Sequence, residues 1–293
     1  MPESTLHYIR RCKGSKLLRF FIIPLQILNL FCTFAALQII NMRFFITLSY
    51  DGTRYHGWQI QPNSISVQGE LQRALSLLLR QDIQVTGAGR TDTGVHARMM
   101  VAHFDFSEEE NKPLTPHPLP LTTNLTYKLN RLLPRDIAVQ KVEPVADDLH
   151  ARFSATSRTY RYFVHTVKSP FLRHYSLQLN YALDFALMNE AAAMLLEYND
   201  FEAFCKSHAD VKTTLCKVTH AQWHQQSETE WYFEITANRF LRNMVRAVVG
   251  TLVDVGRGRL SLDDFRKVIE GKKRTEAGES MPANALFLEK IEY

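Results

Sequence analysis

The chain has 293 residues, 45% hydrophobic and 22% charged, a balance that excludes a disordered chain and provides enough apolar residues for a sizeable core. The formal net charge is +5, but residues 1–41 hold five basic side chains against one acidic one, so bulk charge does not establish an anionic partner. The four cysteines form no CxxC pair, which argues against a zinc ribbon or a thioredoxin-like site and favours a reduced, cytoplasmic protein.

The N-terminal stretch contains an uncharged run, residues 20–40, behind several basic residues. A run of this length is sufficient to span a membrane or to form a signal peptide. Polar residues and a proline interrupt it, however, and a strand pattern follows directly after Met42. We therefore expect residues 1–41 to be an extension outside the functional protein, with translation starting at Met42. A membrane anchor and an exported protein are the alternatives.

Strand and helix patterns alternate through residues 42–146. Apolar residues recur at helical spacing from Val67 onwards, behind the N-cap candidate Ser66, and a second helix ends at Pro134. The glycine-rich loop 87–97 follows one predicted strand and precedes another, and such loops commonly display functional residues. Strands are predicted over residues 43–50, 83–87, 99–106 and 137–145, and a surface loop over 107–120.

Residues 147–293 mix strands and helices a second time. The pattern predicts an α+β fold of two α/β halves, 42–146 and 147–293, with mainly antiparallel sheets joined around a central cleft or sharing one sheet. Strands are predicted over residues 157–166, 218–226, 230–238 and 285–293, and helices over 184–198, 239–256 and 261–271.

The loop "GAGRTDTGVHA", Gly87 to Ala97, holds a single carboxylate, that of Asp92. Its glycines permit tight backbone turns and a close approach to a ligand. One interpretation is a functional carboxylate; the other is an ordinary turn that Asp92 begins and Gly94 closes. The triplet Asp92-Thr93-Gly94 also matches the D-T-G of aspartic proteases, but those enzymes need two carboxylates and the chain has no second D-T-G or D-S-G.

Arg246 lies in the apolar run 239–256 and is flanked by Met, Val and Ala residues. An arginine buried without a partner is costly, so we expect a nearby carboxylate, and Asp92 is the natural candidate. The alternative is that Arg246 extends its head group to solvent. Arg242, one helical turn earlier, is expected to face solvent or to bind phosphate.

Tyr160 lies on the predicted strand 157–166, where it either belongs to the core or offers its ring and hydroxyl to a flat base. Basic and aromatic residues interleave at three places, which together favour an RNA-binding surface. These places are residues 54–68, 150–158 and 171–175. The histidines show no HExxH or comparable spacing, so no metal is expected.

Five segments resemble the tRNA pseudouridine synthase A family, in that family's order, over nearly all of the chain after residue 41. They are "YDGTRYHGWQIQ", "GAGRTDTGVHA", "HARFSATSRTYRY", "SPFLRHYS" and "FLRNMVRAVVGTL". Thr93 departs from the family, in which Ala is usual. The G-R-T-D core is the most specific of these matches.

The resemblance implies the pseudouridine synthase fold and isomerisation of uridine to pseudouridine at positions 38, 39 and 40 of the tRNA anticodon arm. It implies a homodimer, with tRNA as partner and no cofactor or metal. Asp92, Tyr160 and Arg246 match catalytic residues. Arg90 matches the arginine associated with base extrusion, and we expect Arg242 and His96 to help bind the substrate. A non-catalytic RNA-binding protein with the same surface is the alternative.

Overall fold

One nine-stranded sheet runs through the part of the chain that the structure describes, residues 40–108, 118–206 and 212–293 of a computed structural model. Its order is β4-β1-β3-β9-β5-β8-β7, with β2 paired to β3 and β6 paired to β5. The strands are β1 Ile40–Tyr50, β2 Val85–Gly87, β3 His96–Glu108, β4 Ile137–Val145, β5 Ser157–His165, β6 Leu177–Gln178, β7 Val218–Gln225, β8 Glu230–Ala237 and β9 Leu286–Glu292. The expectations for residues 1–39 lie outside the described residues.

The last strand, β9, joins the two predicted halves. It pairs parallel with β3 through His96 and Ala97, and antiparallel with β5 on its other side. Most of the remaining pairs are antiparallel, as expected. The halves therefore share one sheet, and the strand that closes the sequence lies at the middle of that sheet.

Five helices accompany the strands within the described residues. They are α1 Val67–Leu79, α2 Pro118–Leu132, α3 Phe185–Met194, α4 Met244–Gly256 and α5 Leu262–Gly271. Ser66, Asp184 and Ser261 cap α1, α3 and α5 through their side-chain oxygens, as expected of such residues at these ends. Among the same residues, no helix is long and apolar enough to cross a membrane.

Several predicted boundaries are wrong: for example, the strand predicted over 99–106 spans His96–Glu108, and the α-helix predicted over 184–198 ends at Met194. The helix predicted over 239–256 begins only at Met244, because Asn243 adopts a left-handed conformation with φ 67°. The loop predicted over 107–120 is shortened from both sides, since β3 extends to Glu108 and α2 begins at Pro118. Apolar composition alone does not predict the left-handed conformation of Asn243, which separates residues 239–242 from the helix.

The sheet carries two hydrophobic clusters, one on each side of the β3–β9 junction. Phe44, Leu75 and Phe104 belong to the first, and Trp223, Phe233 and the buried face of α4 belong to the second. Val95, from the loop before β3, packs in the second cluster, so the first half of the chain reaches into the core of the other half. Tyr160 contacts both clusters, which places it at their boundary.

Candidate active site

The loop between β2 and β3 presents Asp92 from a turn that the main chain closes by itself. The Val95 N–H donates to the Asp92 carbonyl oxygen at 3.1 Å, and Gly94 adopts φ +80°. A positive φ favours glycine, which explains why Gly94 occupies this position. The predicted turn is therefore present, yet it uses the backbone carbonyl of Asp92 and leaves the carboxylate available.

The residue before Asp92 anchors the loop to the first half of the protein. The hydroxyls of Tyr50 and Thr91 are 2.9 Å apart, and the Trp58 N–H donates to the Thr91 carbonyl oxygen at 3.3 Å. Gly57 has φ +86°, and a Cβ built on it would lie 2.3 Å from that carbonyl oxygen. The close backbone approach therefore requires glycine at position 57, and it fixes the place from which Asp92 projects.

Asp92 and Arg246 form the expected ion pair. Arg246 Nη1 lies 3.6 Å from Asp92 Oδ2, and the two side chains are 21% and 29% exposed. Arg246 Nε also donates to the Met281 carbonyl oxygen at 2.5 Å, so the guanidinium is held from two sides. The group facing Asp92 is thus a guanidinium, whereas the aspartic protease interpretation would require a second carboxylate.

A segment before β9 orients Arg246 through backbone contacts. The Met281 N–H donates to the Arg246 carbonyl oxygen at 3.1 Å, and the Tyr162 hydroxyl donates to the Pro282 carbonyl oxygen at 2.9 Å. A Cβ on Gly250 of α4 would lie 1.9 Å from the Glu279 carbonyl oxygen. The sequence analysis did not predict this support, because contacts made by the main chain depend little on which side chains are present.

Tyr160 projects from β5 and is half-buried, with its ring edge-on to Phe240 at a centroid distance of 5.1 Å. Burial raises the pKa of its hydroxyl, the Asp92 carboxylate raises it further, and Arg158 opposes the shift. The Asp92 carboxylate is thus one of the charges that act on the Tyr160 hydroxyl. The Tyr160 hydroxyl therefore stays protonated at neutral pH.

Arg90 and Arg242 are both exposed, as binding residues for a large anion must be. Arg242 lies before α4 and not one turn earlier on the same helix, which corrects that expectation. Its carbonyl oxygen accepts a hydrogen bond from the Lys206 N–H at 3.0 Å. Both residues remain accessible: Arg90 lies two residues before Asp92 in the chain, and Arg242 lies four residues before Arg246.

His96 was expected to bind substrate, and its burial contradicts a direct contact. Its side chain is 0% exposed, and Nδ1 accepts the Gly52 N–H at 3.0 Å. Nε2 lies 3.2 Å and 3.1 Å from the carbonyl oxygens of His174 and Asn284. Burial lowers the pKa of the ring, in keeping with a neutral imidazole that links three segments. His96 is thus a structural residue.

Arg158 is a positioning residue that sequence reasoning did not select. Its guanidinium donates to four carbonyl oxygens, including that of Ala88 at 3.2 Å in the Asp92 loop and that of Asn238 at 2.7 Å after β8. One side chain therefore ties the Asp92 loop to the second half of the sheet. The signal available in the sequence was its shared strand parity with Tyr160.

Exposed aromatic rings accompany arginines on two of the three predicted binding segments. Phe153 is 78% exposed with the Arg152 guanidinium 5.8 Å from its ring centroid, and Phe171 is 88% exposed. Exposed rings of this kind stack on unpaired bases, and neighbouring arginines contact phosphate. A carboxylate paired with an arginine, in a chain that also exposes such groups, suits an enzyme that acts on a base of RNA.

Comparison with known proteins identifies the family to which this chain belongs. The family model described as tRNA pseudouridine synthase matches residues 46–154 and 191–293. The chain is 58% identical over 251 residues to tRNA pseudouridine synthase A of Bacteroides fragilis, covering 86% of this chain and 96% of that protein. It is 40% identical over 256 residues to tRNA pseudouridine synthase A of Bacillus subtilis, covering 86% and 99%. The chain belongs to the tRNA pseudouridine synthase family and has its α+β fold.

Proposed function

We propose that this protein isomerises uridine to pseudouridine at positions 38, 39 and 40 of the tRNA anticodon arm, in the cleft between the halves 42–146 and 147–293. Its curated relatives carry the name of that enzyme over nearly their whole length. The observation that carries the proposal is the 3.6 Å ion pair between Arg246 of α4 and Asp92, which belongs to the loop with the G-R-T-D core.

The reaction breaks the bond from ribose C1′ to N1 of uracil and joins C1′ to C5, while C5 loses a proton and N1 gains one. The target nucleotide must first leave its stack, at a cost of a few kcal/mol. Arg90 is exposed on the same loop as Asp92 and is suited to fill the vacated space. Arg242 is suited to hold a phosphate.

Asp92 acts as an ionised carboxylate, either by attacking the nucleotide or by removing a ribose proton. Arg246 places the opposite charge 3.6 Å from this carboxylate. Tyr160 stacks on the uracil ring. Its raised pKa keeps the hydroxyl protonated, so it donates a hydrogen bond and does not remove a proton at neutral pH.

The remaining parts of the proposal concern assembly and location. The resemblance supports a homodimer whose two subunits hold one tRNA, a reaction that needs no cofactor, and a cytoplasmic protein. Sedimentation of the purified protein with and without tRNA tests the first of these. A single-subunit complex with full activity would contradict it.

The activity is tested by tritium release from tRNA labelled at C5 of its uridines, since isomerisation displaces that hydrogen. We expect release from tRNAs with uridine at positions 38 to 40, and none when those uridines are replaced by cytidine. The competing function, non-catalytic RNA binding, gives binding without release. Binding should also weaken steeply with salt, because phosphate contacts displace counterions.

A further inference from the structure

Three potential metal ligands converge on the edge of the sheet, away from Asp92. His220 and His224 lie on β7, and Glu234 lies on the neighbouring β8. Strand alternation places both histidines on the face opposite Trp223, which is buried in the core. One ligand atom from each of the three residues lies within 4.8 Å of the others. This separation is close enough for a single ion.

Both histidines carry a buried nitrogen that has no hydrogen-bond partner. The atoms are Nε2 of His220 and Nε2 of His224, and the two rings stack at a centroid distance of 6.0 Å. Buried polar atoms are nearly always satisfied, so two unsatisfied nitrogens on neighbouring rings need an explanation. A cation between them would satisfy both.

The distance between His220 and Glu234 fits shared coordination better than a hydrogen bond. His220 Nε2 lies 3.5 Å from Glu234 Oε1, beyond the usual range for a hydrogen bond. Two ligands that bind one tetrahedral ion at about 2.0–2.1 Å lie about 3.4 Å apart. All three ligand atoms lie within 4.8 Å of one another, so a shift of at most about 1.4 Å brings them to that spacing.

The surroundings provide an outer shell for the site. Arg161 Nε donates to the second oxygen of Glu234, Oε2, at 2.6 Å, which orients the carboxylate with Oε1 towards His220. Arg161 also donates to Glu289, which accepts from Arg98 as well. The two arginines and two glutamates balance in charge, so a cation does not enter a positive site.

We propose that His220, His224 and Glu234 bind one Zn²⁺ ion, with water in the fourth position, and that the ion fixes the edge strand β7 to β8. Two imidazoles and a carboxylate form a ligand set that suits Zn²⁺ better than Ca²⁺ or Mg²⁺. The proposed site departs from the expectation of no metal. That expectation used motif spacing, which does not anticipate ligands that two paired strands bring together.

Calorimetric titration of the metal-free full chain with Zn²⁺ tests the proposal. We expect one equivalent to bind, at least about tenfold less tightly in His224→Gln and in Glu234→Gln. His56→Gln, which alters an exposed histidine elsewhere, should bind as the unaltered protein does. Co²⁺ in place of Zn²⁺ should give visible bands of a tetrahedral site that are lost in both cluster variants.

Thermal unfolding with and without Zn²⁺ separates binding from folding. The metal should raise the Tm of the unaltered protein and of His56→Gln but not that of His224→Gln, provided that circular dichroism finds the metal-free proteins equally folded. If the metal-free His224→Gln is less folded, Glu234→Gln provides the same comparison. Equal Zn²⁺ affinity in all of these proteins, or less than one bound equivalent in the unaltered one, overturns the proposal.

Discussion

Two aspartates of the first half begin turns of similar sequence, Asp51 in "DGT" and Asp92 in "DTG", and they use their carboxylates differently. The Asp51 carboxylate accepts from the Thr53 N–H at 2.9 Å and from the Tyr175 hydroxyl at 2.8 Å. Both oxygens of the Asp51 carboxylate therefore accept hydrogen bonds, one within its own turn and one from Tyr175. The turn at Asp92 is closed by a main-chain carbonyl, and the carboxylate faces Arg246.

The difference shows that a turn signal and a functional carboxylate can coincide at one residue. An Asx-turn needs the side-chain oxygen, whereas a turn closed by the backbone with glycine at its third position does not. Gly94 thus determines whether the carboxylate is free. Burial disfavours the charged form of Asp51, but the hydrogen bonds from Thr53 and Tyr175 outweigh it and hold its pKa below the ordinary value.

The largest expected effect comes from exchanging the two aspartates for asparagine separately. Asp92→Asn should lower tritium release by at least about 10⁴-fold, because the reaction loses its ionised group. Its free energy of unfolding should fall by at most about 1 kcal/mol, since the turn does not use the carboxylate and Arg246 keeps its hydrogen bond to the Met281 carbonyl oxygen. Asp51→Asn should have the opposite profile, with activity kept and stability lowered. Equal activities in the two variants would remove the distinction.

Arg246→Ala sharpens the same comparison from the other side of the ion pair. We expect about 10²–10³-fold slower release, the usual cost of removing one preorganised charge. Arg246→Lys is the matched control, since it keeps the charge but cannot make both of the contacts seen for the guanidinium. The rate of Arg246→Lys should lie between that of the unaltered protein and that of Arg246→Ala. An unimpaired Arg246→Ala protein would mean that Asp92 needs no counter-charge.

Tyr160 should contribute through its ring more than through its hydroxyl. Tyr160→Phe should stay within about tenfold of the unaltered rate, and Tyr160→Leu should fall by about 10–100-fold because stacking is lost. The pKa of Tyr160 is raised, so its ionisation should cause no loss of rate at alkaline pH below the ordinary tyrosine pKa. A loss above about 10²-fold in Tyr160→Phe would instead indicate acid–base catalysis.

The backbone that supports Asp92 is tested by two glycines. Gly57→Ala should destabilise the protein by about 1–3 kcal/mol, because its positive φ and the nearby Thr91 carbonyl oxygen exclude a Cβ. A Cβ on Gly89 would meet nothing within 4 Å, so Gly89→Ala should change stability by less than about 0.5 kcal/mol. Urea unfolding provides both numbers. Similar values would contradict the close approach at Gly57.

The smallest effect concerns the pH dependence that Asp51 contributes. Its folded pKa is lowered, so its stabilisation is complete above the unfolded pKa and is lost as pH falls through the folded pKa. Asp51→Asn should therefore cost about 1 kcal/mol near neutral pH and almost nothing once the carboxyl is protonated in both states. Unfolding curves at several pH values measure this. A difference that grows in acid would have the wrong sign.

The sequence predicted the pairing of Asp92 with Arg246 better than it predicted the arrangement of the strands. Periodicity located β4 over Ile137–Val145 to the residue, and the apolar surroundings of Arg246 indicated a carboxylate partner. The central place of β9 was beyond such reasoning, because strand order depends on contacts distant in sequence. His96 belongs to the same loop motif as Asp92, but its burial is a tertiary property that the motif does not predict.

The central claim is that Asp92 and Arg246 work as one unit, and a double-mutant cycle on single-turnover tritium release tests it most directly. The account predicts that Arg246→Ala slows the unaltered protein about 10²–10³-fold but leaves the residual rate of Asp92→Asn nearly unchanged, because the guanidinium has no charge left to hold. Equal factors in both backgrounds would contradict it, since the two side chains would then act independently.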